Sequence, residues 1–126
     1  MYPYLSKYEW LAMADELLRH QAPDVVDLCV RFFLAESRGV SDGRIRALLA
    51  RRFKHCQLGR THRDQLVACI ARRLTEGNFS EQFKDQLRLA LLLDRQAILA
   101  AAAAAGCAHR RAYVRQYALW VLAHAP

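Results

Sequence analysis

Few side chains in this sequence can hold a metal or attack a substrate, and their spacing limits what they can do. His55 and Cys56, with His62 and Cys69 further along, form the densest local set of zinc-type ligands. A zinc site needs several such groups converging on one point. Neighbours on a helix point about 100° apart, so His55 and Cys56 diverge. Neither His-Glu-x-x-His nor Glu-x-x-His occurs, which removes the helical signals of zinc proteases and di-iron bundles. Cys29, Cys56, Cys69 and Cys107 are separated by 27, 13 and 38 positions and include no Cys-x-x-Cys pair. His55 and His62 therefore read as polar helix-end residues, and Cys29 and Cys69 as small core side chains. No metal and no cofactor is expected.

A thiol nucleophile is the other chemistry on offer. Cys107 follows Gly106 at an expected helix start, where the helix dipole would favour a thiolate, and His109 stands nearby as a base. Residues two apart on a helix do not face each other, so this pair needs help from elsewhere in the fold. The sequence contains no Gly-x-Ser-x-Gly, phosphate-cradling glycine loop or dinucleotide fingerprint. Asp15-Glu16 and Asp24/Asp27 read as helix-surface and helix-start charges rather than an acid–base pair. An enzyme is the third-ranked expectation, with no identifiable site.

Charge is the stronger signal. The 126 residues carry 19 Lys+Arg against 12 Asp+Glu, a net of +7, but the surplus is uneven. Residues 38–73 hold ten basic and two acidic side chains, a net of +8, whereas residues 1–37 hold three basic and six acidic, a net of −3. Such a block could attract nucleic acid, an acidic protein or anionic lipid. The candidate anion contacts are Arg44, Arg51, Arg52, Lys54, Arg60, Arg63, Arg72 and Arg73. Against this, 16 of the 19 basic residues are arginine, consistent with arginine simply covering solvated helix faces. Aromatic residues barely interleave with the block, so base stacking has little support. A second candidate surface is Tyr113, Tyr117 and Trp120, which share a helix face at i, i+4 and i+7. They either close the core or form a protein interface.

The elements that must position these groups are helices throughout. Apolar residues recur at helical spacing, and strand-like alternation is missing. A first helix is expected over Tyr4 to His20 with Tyr8, Leu11, Ala14 and Leu18 inward. Pro23 fits the first position of a second helix, with Val26, Cys29, Val30, Phe33 and Leu34 inward, that runs to about Gly39. Ser41 is expected to cap a third, with Ile45, Leu48, Leu49 and Phe53 inside and Gly59 as its terminator. Thr61 and Asp64 suggest a capping box for a fourth, carrying Leu66, Cys69, Ile70 and Leu74 and ending at Gly77-Asn78. Ser80 is placed as the cap of a fifth, with Phe83, Leu87, Ala90 and Leu91 inside. Nothing between Ser80 and Ala105 decides whether that stretch is one helix or two. Gly106 is the next expected break, before a last helix with Val114, Tyr117, Ala118, Val121 and Leu122 inward. The Ala100 to Ala105 run has helix propensity without bulk, which permits close approach to a neighbour.

Helix starts near Tyr4, Ser41 and Ser80 are 37 and 39 residues apart. A shift of 40 places Asp24, Val26, Cys29, Val30 and Leu34 on Asp64, Leu66, Cys69, Ile70 and Leu74. Two helices per period of this size point to stacked helical hairpins. The segment Tyr113-Val114-Arg115-Gln116-Tyr117-Ala118-Leu119-Trp120-Val121-Leu122 resembles the second helix of a HEAT-type repeat, and Ile45-Arg46-Ala47-Leu48-Leu49 echoes it. The resemblance implies a curved stack of antiparallel helices with a binding role.

The expectation is one all-α domain over residues 1–126, of six or seven helices as antiparallel hairpins, HEAT-like or an irregular orthogonal bundle. Its expected role is a non-catalytic binding or scaffold module for a protein partner or a further copy of itself, with nucleic-acid binding through residues 38–73 as the alternative. The longest charge-free apolar stretch, Ala97 to Ala108, is 12 residues, short of the roughly 20 a membrane span needs, so no membrane partner is expected. No secretory signal is visible at the N-terminus, so reduced thiols and a cytoplasmic setting are expected.

Overall fold

The computed structural model describes residues 6–36, 39, 41–79 and 82–124, except the side chains of Lys7, Leu18, Cys107 and Ala108. Among them run seven helices and no strand: α1 Lys7–His20, α2 Pro23–Leu34, α3 Asp42–Phe53, α4 Arg60–Glu76, α5 Phe83–Leu93, α6 Arg95–Ala108 and α7 Ala112–Ala123. The stretch after Ser80 is thus two helices. Asp94 makes the division: its N–H donates to Ala90 O (2.9 Å), closing α5, while its carboxylate accepts from Ala97 N (3.1 Å), opening α6. The expected Ser80 cap lies outside the described residues, as does the expected start at Tyr4.

Several helix ends differ from the sequence expectations for local reasons. α1 opens on a capping box in which Ser6 Oγ accepts from Glu9 N (3.2 Å) and Glu9 Oε1 accepts from Ser6 N (2.9 Å). α2 stops at Leu34 rather than near Gly39, because Ala35 leaves the helix in extended geometry (φ −71°, ψ 143°), its N–H making the last bonds to Arg31 O and Phe32 O. Ser41 precedes α3 but its side chain makes no capping bond. The Asp42 carboxylate instead accepts from Gly39 N (2.8 Å). Gly59 does not terminate α3, which ends at Phe53; it is the N-cap residue of α4 in extended geometry. Thr61 and Asp64 consequently lie inside α4 and form no capping box.

Gly77 and Gly106 make a controlled pair. Gly77 ends α4 at φ 73°, and a Cβ there would sit 2.9 Å from Tyr113 Oη and 3.0 Å from Val114 Cγ2. Gly106 is no break at all. It lies within α6, where a Cβ would meet Ala118 Cβ at an ordinary 3.6 Å. Gly77→Ala will therefore destabilise the fold by about 1–3 kcal/mol. Gly106→Ala will stabilise it by about 0.5–1 kcal/mol. Opposite shifts of the urea midpoint check both.

The helices pack in two rows. α3 lies on both α1 and α5, and α4 on both α2 and α6; α1·α2, α2·α3, α4·α5 and α5·α6 contacts join the rows. α7 packs mainly on α6 and also touches α4, at the opposite end from α1. One core runs through all seven helices, centred on Trp10, Leu17, Phe33, Phe53, Leu66, Ile70, Phe83, Leu87 and Ile98. Trp10 stacks obliquely on Phe32 (4.3 Å between ring centres), and Phe33 meets Phe53 edge-on at 5.8 Å.

The inward face of α1 is the expected one at Ala14 but not at Tyr8 and Leu11, and the Leu18 side chain lies outside the described residues. Trp10, Ala14 and Leu17 are buried, whereas Tyr8 is 79% exposed and Leu11 41%. Burying the indole removes more apolar surface than burying the phenol with its hydroxyl, and that rotates the helix. In the other helices the expected inward residues are largely buried, with additions such as Phe32, Ala47 and Leu89. Leu122 is an exception at 38% exposed.

Candidate functional site

Arg73 carries a positive charge at the centre of the fold. Its side chain is buried, its Nη1 donates to Gln86 Oε1 (3.0 Å), and its Nη2 donates to the carbonyls of Phe33 and Ala35. Its Nε donates to Glu36 Oε1 (3.3 Å), and the guanidinium lies over the Phe33 ring at 5.1 Å. Arg46 of α3 also donates to Ala35 O (3.2 Å) and covers the Phe32 ring. Burial first, and Arg73 next, hold the pKa of Arg46 below the usual arginine value. Two guanidiniums thus satisfy the carbonyls at the C-terminal end of α2, where the helix dipole favours cations. Arg73 belongs to the core and cannot reach an external phosphate.

The remaining basic candidates are divided. α3 and α4 sit in different rows and are not a close-packed pair, so their arginines are not aligned by hairpin packing. Arg51 pairs with Asp85 (2.8 Å), which also binds Arg88 (3.4 Å). Arg72 pairs with Glu36 (3.5 Å), and Arg63 donates to Leu93 O (3.1 Å). Arg52 is half-buried, with its Nε lacking a hydrogen-bond partner. Arg44, Lys54 and Arg60 are exposed and make no ion pair among the described residues.

The metal and thiol candidates do not assemble. Among the described residues no three His, Cys, Asp or Glu side chains are grouped to hold a metal ion. His62 Nε2 lies 3.4 Å from Asp27 Oδ1, and His55 is exposed. Burial pushes the Cys29 thiol up to about 12, with Cys56 adding to the shift, and burial also raises Cys56 and Cys69. These thiols stay protonated at neutral pH and are poor nucleophiles. In folded protein at pH 8 Cys29 will resist iodoacetamide, becoming reactive only on addition of denaturant; mass spectrometry of the alkylated peptides reads this directly. Cys107 sits in the last turn of α6, not at a helix start. Its side chain lies outside the described residues. His109 Nδ1 accepts from Arg111 N (3.1 Å).

The aromatic candidates mostly seal a seam. The Tyr113 hydroxyl donates to Gly77 O (2.6 Å), and its ring meets Phe79 edge-on at 5.3 Å. Tyr117 packs against Phe79 and Phe83, at 4.9 and 6.1 Å. Trp120 is half-buried beneath Lys84 (5.5 Å) and Arg88 (5.2 Å) of α5, with His124 stacked on it at 4.2 Å. These contacts tie α7 to α5 through side chains.

The more open part of α7 is its outer face. Leu119 is 58% exposed and Leu122 38%, alongside exposed Ala112, Gln116 and Ala123. Sequence reasoning placed Leu122 inward and gave Leu119 no role. The available signal was angular: at three positions apart the two share a flank roughly opposite the aromatic one. No helix among the described residues is long and apolar enough to cross a membrane. Comparisons with protein families, curated proteins and solved structures give no match to this chain.

Proposed function

We propose that this chain is a non-catalytic helical binding module for a protein partner, engaged through the outer face of α7. The observation that carries the reading is the exposure of Leu119 and Leu122 together, on a face whose other exposed residues are Ala112, Gln116 and Ala123. Interface centres are depleted in charge and rich in large apolar groups, and this face fits that composition in a chain that is 25% charged. The two-row packing, with α3 bridging α1 and α5 and α4 bridging α2 and α6, supports a HEAT-like scaffold. The free Cys29, Cys56 and Cys69 support a reducing compartment such as the cytoplasm.

Nucleic-acid binding through the basic block is the competing class, and fluorescence anisotropy separates the two. With generic duplex DNA and RNA, only weak, non-saturating binding is expected, since Arg73 is buried and Arg51 and Arg72 are paired. Micromolar binding with a log–log salt slope of about −3 or steeper, lost on converting Arg44, Lys54 and Arg60 to Glu, would overturn the protein-binding reading.

A further inference from the structure

We propose that this chain associates head to tail with further copies of itself, the outer face of α7 in one copy seating on the outer face of α1 in the next. The inference rests on the protein-binding reading above and names the partner. α1 and α7 occupy opposite ends of the packing, and both leave apolar side chains uncovered. On α1 these are Tyr8 and Leu11, one helical turn apart, 79% and 41% exposed; on α7 they are Leu119 and Leu122.

Charge makes the two ends complementary rather than merely sticky. α1 exposes Glu9, Asp15 and Glu16, and residues 1–37 are net acidic. From position 95 to the end the sequence has four arginines (Arg95, Arg110, Arg111 and Arg115) and no Asp or Glu. Among the described residues, Asp15 and Glu16 pair with exposed i,i+4 partners, Arg19 at 3.5 Å and His20 at 4.0 Å. Such pairs contribute little and exchange readily for a new partner. Like end on like end would oppose arginine to arginine, or carboxylate to carboxylate. Arg110 and Arg111 are exposed at the start of α7, so head on tail brings opposite charges to the rim of an apolar centre.

The helices also match in length, at 14 and 12 residues, or about 18–21 Å. A contact made by two different surfaces does not close on itself, so it produces open chains or rings rather than a closed pair. One helix face against another is small compared with a stable interface. The association is accordingly concentration-dependent.

Sedimentation velocity on the full chain tests this. Over a hundredfold concentration range the average sedimentation coefficient should rise, and raising the salt should weaken association several-fold. Leu119→Glu breaks the tail and Leu11→Lys the head; both positions are exposed, so circular dichroism should report intact helices. Each variant alone should stay monomeric. Their equimolar mixture should give a one-to-one dimer and nothing larger, because one intact tail then meets one intact head. A wild-type chain that is monomeric throughout would overturn the inference, as would a closed dimer that the mixture does not restore. A monomeric wild type leaves the protein-binding reading standing, since a different protein can still occupy the outer face of α7.

Discussion

Arg73→Ala will lower the unfolding free energy by about 3–5 kcal/mol, although it removes one of 19 basic side chains in a net-positive protein. The guanidinium bonds to Phe33 O, Ala35 O, Gln86 Oε1 and Glu36 Oε1 from a buried position. Alanine leaves the Phe33 carbonyl and the Gln86 amide in the interior without this donor, and the cost of an unmet buried group exceeds the net worth of the bond. Arg73→Lys will also be strongly destabilising, because an ammonium cannot reproduce a planar fork that serves several acceptors. Arg72 is the internal control. It is about half exposed beside Glu36, so Arg72→Ala will change stability by no more than about 1 kcal/mol. Urea unfolding of the three variants checks this, and equal effects at positions 72 and 73 would contradict the buried role.

The second large effect lies in α1. Trp10→Ala will cost about 3–5 kcal/mol, because the indole is fully buried and stacked on Phe32. Leu11→Ala, one residue on, will change stability by less than about 0.5 kcal/mol, since the side chain already stands in solvent. The contrast tests the rotation of α1 without reference to function. Comparable losses at both positions would mean that α1 presents Leu11 inward after all.

What the sequence made legible follows from which signals are local. Pro23 at the start of α2, the Gly77-Asn78 stop of α4 and the Leu66, Cys69, Ile70, Leu74 face depend on residues within one helix, and all stand in the structure. The Ser6–Glu9 capping box was equally local but went unread. The orientation of α1 was not local. Tyr8, Leu11 and Ala14 have helical spacing as good as that of Trp10, Ala14 and Leu17, and packing against the rest of the core, Phe32 included, selects the second set. Glycine was ambiguous for a related reason. Gly59 starts a helix, Gly77 ends one and Gly106 sits inside one, and backbone geometry rather than residue type separates them: ψ 163° makes Gly59 extended, and φ 73° makes Gly77 left-handed.

The basic block shows the same limit at the level of function. A +8 run over residues 38–73 is real as a count, yet counting cannot tell a phosphate contact from a guanidinium that caps α2 from within. Arg46 and Arg73 are engaged by carbonyls at the C-terminal end of α2, and Arg51 and Arg72 by carboxylates that lie 34 and 36 residues away. The open apolar face of α7 was hidden because the aromatic flank of the same helix is apolar too, and spacing alone does not say which flank is covered. Tyr117 packs against Phe79 and Phe83, and Trp120 lies under Lys84 and Arg88, while Leu119 is 58% exposed; Leu122, like Tyr113, is 38% exposed.

The central claim is that the outer face of α7 meets protein, and in-cell photo-crosslinking tests it most directly. A photoactivatable side chain at position 119 should yield a discrete protein adduct, whether with a second copy or another chain. The same group in place of Gln65, exposed on α4, should yield none. No protein adduct at 119, or equal adducts at both positions, would contradict the account.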